Sequence, residues 1–436
     1  MKFTTLSLVA ALAVSTAFAG GDIAPVEPAA EAPVVEAASP WSFSGDAKLY
    51  YNSTDSDTVD LFSKESASGQ AAISADIGYA INNNWKVNLG LTGLATLGLD
   101  DSVVSDVWLF SGANATDGAL PFTSVGDALW VDTFNITGTA FDGKATFVIG
   151  RQELDTPFAF SEQWTIAANT FDAAVALVNP TKNVTLVAAY IYDGNGNGQR
   201  IGTFENPEGG FTHDDGYMPG FADKGAWTVA GIATLGDVTA QAWYYDVIDV
   251  ADAVWVQADA NLNGFTLGAQ YAWIGPKGNI DGLEDSSAFA VKAGYGIDNL
   301  NLWAAYSSVD ENGVVAIMNT ATMVGQAGWG YSHLSGPQSK LYTEAWWNYG
   351  LVGQPGAETI AVAADYTMGD YKLGAQYTSI SDAENKLAKA PAADLDELAL
   401  TGSTKLMGLD VQLAYIYADY GSNDNNTVQA YFTYNF

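Results

Sequence analysis

The feature that most constrains this chain is a repeat of polarity rather than of sequence. From Trp41 onward, segments of about ten residues alternate polar and apolar side chains, and tight turns and longer polar loops separate them in turn. Successive side chains of a strand point to opposite faces, so each segment presents one apolar and one polar face. A soluble sandwich would hide the apolar faces between two sheets. A closed barrel in a bilayer turns them outward to lipid and keeps the polar faces inside. Charge content separates the two: charged residues make up 15% of the chain, against roughly 25% in a soluble domain. Aromatics reach 12% and glycines number 45, as a lipid-facing wall with many turns requires. The expected fold is all-β, a single transmembrane antiparallel barrel over residues 41–436.

Eight tight turns supply the Gly, Asn or Asp that short hairpins need. They are Asn82-Asn83-Asn84, Phe141-Asp142-Gly143, Asn179-Pro180-Thr181-Lys182, Leu235-Gly236-Asp237, Asn261-Leu262-Asn263-Gly264, Gly296-Ile297-Asp298-Asn299, Met368-Gly369-Asp370 and Met407-Gly408-Leu409. Between them lie nine loops, near 52–68, 98–126, 152–169, 193–225, 247–252, 274–285, 309–356, 379–396 and 419–427. Eight turns and nine loops join about 18 strands, an even number that keeps both ends on the side of the short turns. Residues 341–349 could pass for a further strand, but one more would make the count odd, so they are read as loop.

Alternation also assigns faces. Leu186, Ala188 and Tyr190 share one face, as do Leu267, Ala269 and Tyr271, Leu302, Ala304 and Tyr306, and Leu373, Ala375 and Tyr377. These faces are expected to meet lipid, with the tyrosines forming a girdle at the interface. The opposite face should line the lumen with the acids Asp46, Asp76, Asp172, Asp259, Asp365, Glu397 and Asp410, and the bases Lys48, Lys86, Lys144, Lys292, Lys372 and Lys405. That wall is nearly balanced, so most of the net charge of −34 resides in loops and leader.

The first residues read as an export signal: Lys2, an apolar stretch from Leu6 to Val14, and Ala17-Phe18-Ala19 as a small-residue cleavage pattern. Residues 1–19 are expected to be removed, and 20–40, rich in Pro, Ala and Glu, to form a flexible lead-in. Nowhere in the chain is there an apolar run of the roughly 20 residues that a helix needs to cross a bilayer. The absence of cysteine excludes disulfides, thiolate metal sites and cysteine nucleophiles. The acidity excludes nucleic acid as a partner and suits small cations and divalent bridges to anionic lipid.

The segment Val428–Phe436 alternates lipid-compatible Val428, Ala430, Phe432, Tyr434 and Phe436 up to the last residue. It resembles the C-terminal signal by which barrels of the Gram-negative outer membrane are recognised by the barrel-assembly machinery. Phe432, Tyr434 and Phe436 would be the residues read, and outer-membrane lipid and lipopolysaccharide the surroundings. Gly150-Arg151-Gln152-Glu153-Leu154-Asp155-Thr156-Pro157-Phe158 resembles the corresponding stretch of OprD-like porins, which are 18-stranded channels. The resemblance implies a water-filled pore narrowed by an inward-folded third loop, with Arg151, Glu153, Asp155 and Glu162 at the constriction. Resemblance to porins also allows a homotrimer. Carboxylate-transporting members carry a ladder of arginines, whereas this chain has only Arg151 and Arg200. Selective uptake of basic amino acids or organic acids by that route is therefore not expected. Loop carboxylates around the mouth and constriction should enrich cations, so moderate cation preference is expected, with small hydrophilic solutes and ions as cargo.

No cofactor is expected, with one exception to weigh. Asp193-Gly194-Asn195-Gly196-Asn197-Gly198 matches the first half of an EF-hand loop, so calcium could bind Asp193, Asn195 and Asn197. Phe204 stands where the bidentate Glu belongs, however, and a Gly/Asn-rich turn explains the residues as well. An enzyme is not expected: His213 and His333 are the only histidines, and neither accompanies a recognisable nucleophile motif. The alternative to a channel is a structural or adhesive barrel with a plugged lumen.

Overall fold

The computed structural model describes residues 39–63, 66–95, 128–162, 166–194, 224–278, 282–319, 338–384 and 392–436. The proposed signal, most of the lead-in, both histidines, Asn195, Asn197 and the side chain of Asp193 lie outside the described residues. The chain forms β1 (Trp41–Thr54), β2 (Ala67–Ala80), β3 (Trp85–Ala95), β4 (Ala128–Ala140), β5 (Ala145–Gln152) and β6 (Phe171–Thr181). These are followed by β7 (Val184–Gly194), β8 (Ala226–Leu235), β9 (Val238–Val247), β10 (Ala251–Leu262), β11 (Phe265–Pro276) and β12 (Ser286–Ile297). The last six are β13 (Leu300–Val309), β14 (Glu358–Met368), β15 (Tyr371–Ala383), β16 (Ala393–Leu406), β17 (Leu409–Asp419) and β18 (Asp424–Asn435). Each strand pairs antiparallel with its sequence neighbours, and β1 pairs with β18 from Asp46↔Asn435 to Thr54↔Thr427. The sheet is thus closed, and no strand edge is left to aggregate.

The turns behave as their composition requires. At Asn263-Gly264 and Met407-Gly408 both residues have positive φ, the backbone of a two-residue hairpin whose twist matches that of the strands. Residues 341–349 are loop, ending in a 3-10 turn at Tyr349–Leu351, so the even count stands.

Exposure confirms the two faces. Leu186, Leu267, Leu302 and Leu373 are exposed on the outward face, while their neighbours Val187 and Ala189 are buried on the inward one. The inward face is not uniformly polar. From β6 to β13 it carries a continuous apolar cluster, including Val175, Leu177, Ile191, Trp243, Trp255 and Ile274. Water in a pore would not tolerate that surface bare. Two long loops cover it: the third loop, 153–170 between β5 and β6, and the seventh, 310–357 between β13 and β14, both contributing members of the same cluster. Around β1–β4 the inward face is polar instead, with Asp46, Lys48, Ser74, Asp76, Lys86, Asn88, Thr92 and Asn135.

Candidate functional site

The third loop begins where β5 loses its regular backbone. Gly150 has φ +120, and a Cβ there would lie 2.3 Å from the Phe134 carbonyl oxygen. Gln152, buried, donates from Nε2 to the carbonyls of Gly150 and Ala173 at 3.1 Å each, which seals the strand end. The loop then forms a small hairpin. The Ser161 N–H donates to the Leu154 carbonyl at 2.7 Å, and the Thr156 hydroxyl donates to the Ala159 carbonyl at 2.6 Å. Its tip drives Phe158 edge-on against Tyr245 and Trp255, with ring centroids 5.5 and 5.6 Å away. Burying such a ring contributes about 1.5–3 kcal/mol, and aromatic pairs add about 0.5–1.5 kcal/mol.

The seventh loop is bound to the third and to the wall. Asn319 Nδ2 donates to the Phe160 carbonyl and to Glu162 Oε1, both at 2.7 Å, and the Gln338 N–H donates to the same Glu162 oxygen at 3.2 Å. Lys340 Nζ lies 2.7 Å from Asp155 Oδ1 and 4.4 Å from the centre of the Phe160 ring. Against the wall, Tyr342 donates from its hydroxyl to Asp259, and Gln376 donates to the Glu344 carbonyl. Glu397 accepts the N–H groups of Trp346, Trp347 and Asn348, and also Asn348 Nδ2. Glu344 accepts the Ser339 N–H at 2.9 Å and the Ser339 hydroxyl. Its burial still holds the carboxyl well above the ordinary range, with Glu162 pushing the same way.

Several expected pore residues therefore stand elsewhere. Arg151 is in register with Phe134, which is 60% exposed on the outward face, and with Asp172 on the other side. Gly150 and Gln152 take the inward positions, so Arg151 and Asp172 point outward and pair with each other at 2.8 Å. Arg151, expected at the constriction, and Asp172, expected on the pore wall, thus both face away from the lumen. Glu162 is fully buried between the two loops, so it ties them together rather than facing water. Glu397 is inward, as alternation requires, but spent on the backbone of the seventh loop. Lys144 lies in the exposed turn before β5. Lys405 keeps the inward parity, in register with Asp410 and 3.1 Å from it, at the exposed turn end of β16.

The remaining assignments agree with the inward face. Asp46, Lys48, Asp76, Lys86, Asp259, Lys292, Asp365, Lys372 and Asp410 share the parity of buried inward neighbours. Lys292 lies over the rings of Trp303 and Tyr342, at 4.8 and 5.8 Å. Phe432 and Tyr434 are on the outward face, in register with Leu49 and Ala47.

One inward acid escaped alternation. Between Gly90 and Leu91 the β3–β4 register slips, leaving Asp132 as the extra residue of a bulge. The bulge turns Asp132 inward, where it accepts a hydrogen bond from the Thr92 hydroxyl. It joins Asp46, Lys48 and Asp76 below the third loop, and Glu153 faces this group. The electrostatic neighbours of Glu153 are Lys48, Asp132, Asp76 and Asp155. Burial pushes its carboxyl up to about 7, Lys48 opposes the shift, and the three aspartates add to it.

No family model and no curated protein matches the sequence. Solved structures match in shape. Pseudomonas aeruginosa OccK3 (OpdO) superposes with a TM-score of 0.62 at 12% identity, covering 91% of this chain and 95% of that one. Acinetobacter baumannii OccAB4 gives 0.62 at 11%, covering 91% and 98%. Pseudomonas aeruginosa OpdK with vanillate gives 0.63 at 12%, covering 90% and 98%. At such identities the likeness speaks to architecture, and what it establishes is that this chain closes the same 18-stranded barrel as the OprD-like porins.

Proposed function

We propose that the protein is an outer-membrane channel through which small hydrophilic solutes and ions diffuse, with moderate preference for cations. The observation that carries this reading is the division of the lumen. The two inward loops cover the apolar sector, and the sector formed by β1–β4 keeps its polar wall. A path along that wall passes Asp46, Asp76, Asp132, Glu153 and Asp155 against Lys48, Lys86 and Lys340. Five acids against three lysines leave a negative balance, which a low-dielectric wall would focus on passing ions. The third and seventh loops together form the narrowing. OpdK is described with vanillate, a carboxylate; this chain has no arginine ladder to guide such an anion. Export through residues 1–19 and assembly through the C-terminal strand belong to the same reading.

A barrel with a plugged lumen is the second reading, favoured by how tightly Phe158, Leu341 and Val352 are buried inside the wall. The reversal potential of purified, refolded protein in a planar bilayer under a KCl gradient decides between them. Discrete steps with a cation-sided potential are expected. Steps with an anion-sided potential would keep the channel and overturn its polarity. Silence from folded protein would favour the plug.

A further inference from the structure

We propose that Glu153, an inner-loop carboxyl with no hydrogen-bond or ion-pair partner among the described residues, sets ion preference in this channel according to whether it holds its proton. The inference rests on the channel reading above and concerns the regulation of the same narrowing.

The geometry singles out Glu153 among the acids of the inner loops. Asp155 is neutralised by Lys340 at 2.7 Å. Glu162 is enclosed by Asn319 and Gln338, and Glu344 by Ser339; on the wall, Glu397 of β16 is taken up by the backbone of 346–348. Glu153 has no hydrogen-bond or ion-pair partner among the described residues, and it borders a cavity of about 20 Å³ whose other walls include Val148, Val175 and Leu177. An apolar wall behind a carboxylate cannot solvate its charge, which penalises the ionised form.

The charged groups facing it come from every element packed on that side. β1 brings Lys48, with Asp46 beside it at 3.4 Å, β2 brings Asp76, β4 brings Asp132, and its own hairpin brings Asp155. One lysine among four acids does not offset the burial, and the carboxyl is held at about 7. Below that pH Glu153 is neutral, and the sector loses one negative charge. Above it the full negative balance is present. A unit charge some 4 Å from a hydrated ion changes its local concentration by roughly fivefold, less in high salt.

The test is the potassium-over-chloride permeability ratio at pH 5.5 and pH 8.5, in wild type and in Glu153→Gln, with Glu153→Asp as a charge-preserving control. In 0.1 M salt the wild-type ratio should rise about threefold or more between the two pH values, with a midpoint near 7. Glu153→Gln should stay flat at the wild-type acid value, and Glu153→Asp should remain more cation-selective than Glu153→Gln at pH 8.5. If Glu153→Gln conducts and keeps the full pH response, the switch lies elsewhere, for example in His213 or His333, and the inference is wrong while the channel reading stands. If wild type never conducts, it is the channel reading that fails.

Discussion

At the residue scale, Gly150 and Glu153 show how much one position can carry. Any side chain at Gly150 would be strained twice, by its positive φ and by the Phe134 carbonyl 2.3 Å from the new Cβ. Gly150→Ala should therefore cost about 1–3 kcal/mol, read as a lower urea midpoint in lipid vesicles. A loss below about 0.5 kcal/mol would mean that the end of β5 relaxes freely. For Glu153 the sign of the stability effect follows from its raised value. The folded protein binds this proton more tightly than a carboxyl at the ordinary 4.5. Its contribution is then fully favourable below about 4.5 and is lost as pH rises through about 7. Because the side chain is partly open to water, the change is discounted to roughly 1–2 kcal/mol. The fall in thermal stability from pH 5 to pH 8 should be smaller by that amount in Glu153→Gln, and an equal fall in both proteins would contradict it. The motif around Gly150 was legible in the sequence, but the outward turn of Arg151 was not. It depends on Gly150 and Gln152 both taking inward positions, which only the paired strands reveal.

At the scale of elements, the two inward loops act as one body. Glu397 holds three consecutive N–H groups of the seventh loop, and Glu162 holds the seventh loop to the third through Asn319 and Gln338. Glu397→Ala would leave four donors, one buried and three half-buried, without their acceptor, a cost of about 3 kcal/mol. The expected result is a loosened seventh loop: larger conductance steps, and faster cleavage of that loop by added protease. Unchanged steps and unchanged cleavage would show that wall contacts such as Tyr342 with Asp259 suffice. Asn319→Ala should act more mildly, costing about 1–3 kcal/mol at the junction of the loops, with noisier open-channel current at an unaltered reversal potential. A quiet trace would place the junction at Lys340 and Asp155 instead. The strands and turns behind these loops were readable from alternation and turn residues, including the exclusion of 341–349 from the wall. Loop folding was not, because a loop's position depends on what surface it can cover, and that surface is assembled from seven or more distant strands.

For the whole molecule, closure is the decisive event. Pairing β1 with β18 joins residues nearly four hundred positions apart and gives every strand two neighbours. Only then do inward side chains sort into an apolar sector that the loops cover and a polar sector on β1–β4. The sequence by itself determined the all-β class, the even count of 18 strands, the inward and outward faces, and most of the lysines and aspartates of the lumen. It could do so because those properties are local: a strand's alternation and a turn's backbone angles are set within a few residues. Tertiary structure decided the rest. The bulge that turns Asp132 inward is a mismatch between two strands and has no meaning in either alone. The outward pairing of Arg151 with Asp172, the enclosure of Glu162 and Glu397, and the half-buried, unpartnered carboxyl of Glu153 all arise from packing between segments far apart in the chain. Electrostatic environment is a property of such neighbourhoods, so the same carboxyl fastens two loops at Glu162 and stands without a hydrogen-bond or ion-pair partner among the described residues at Glu153.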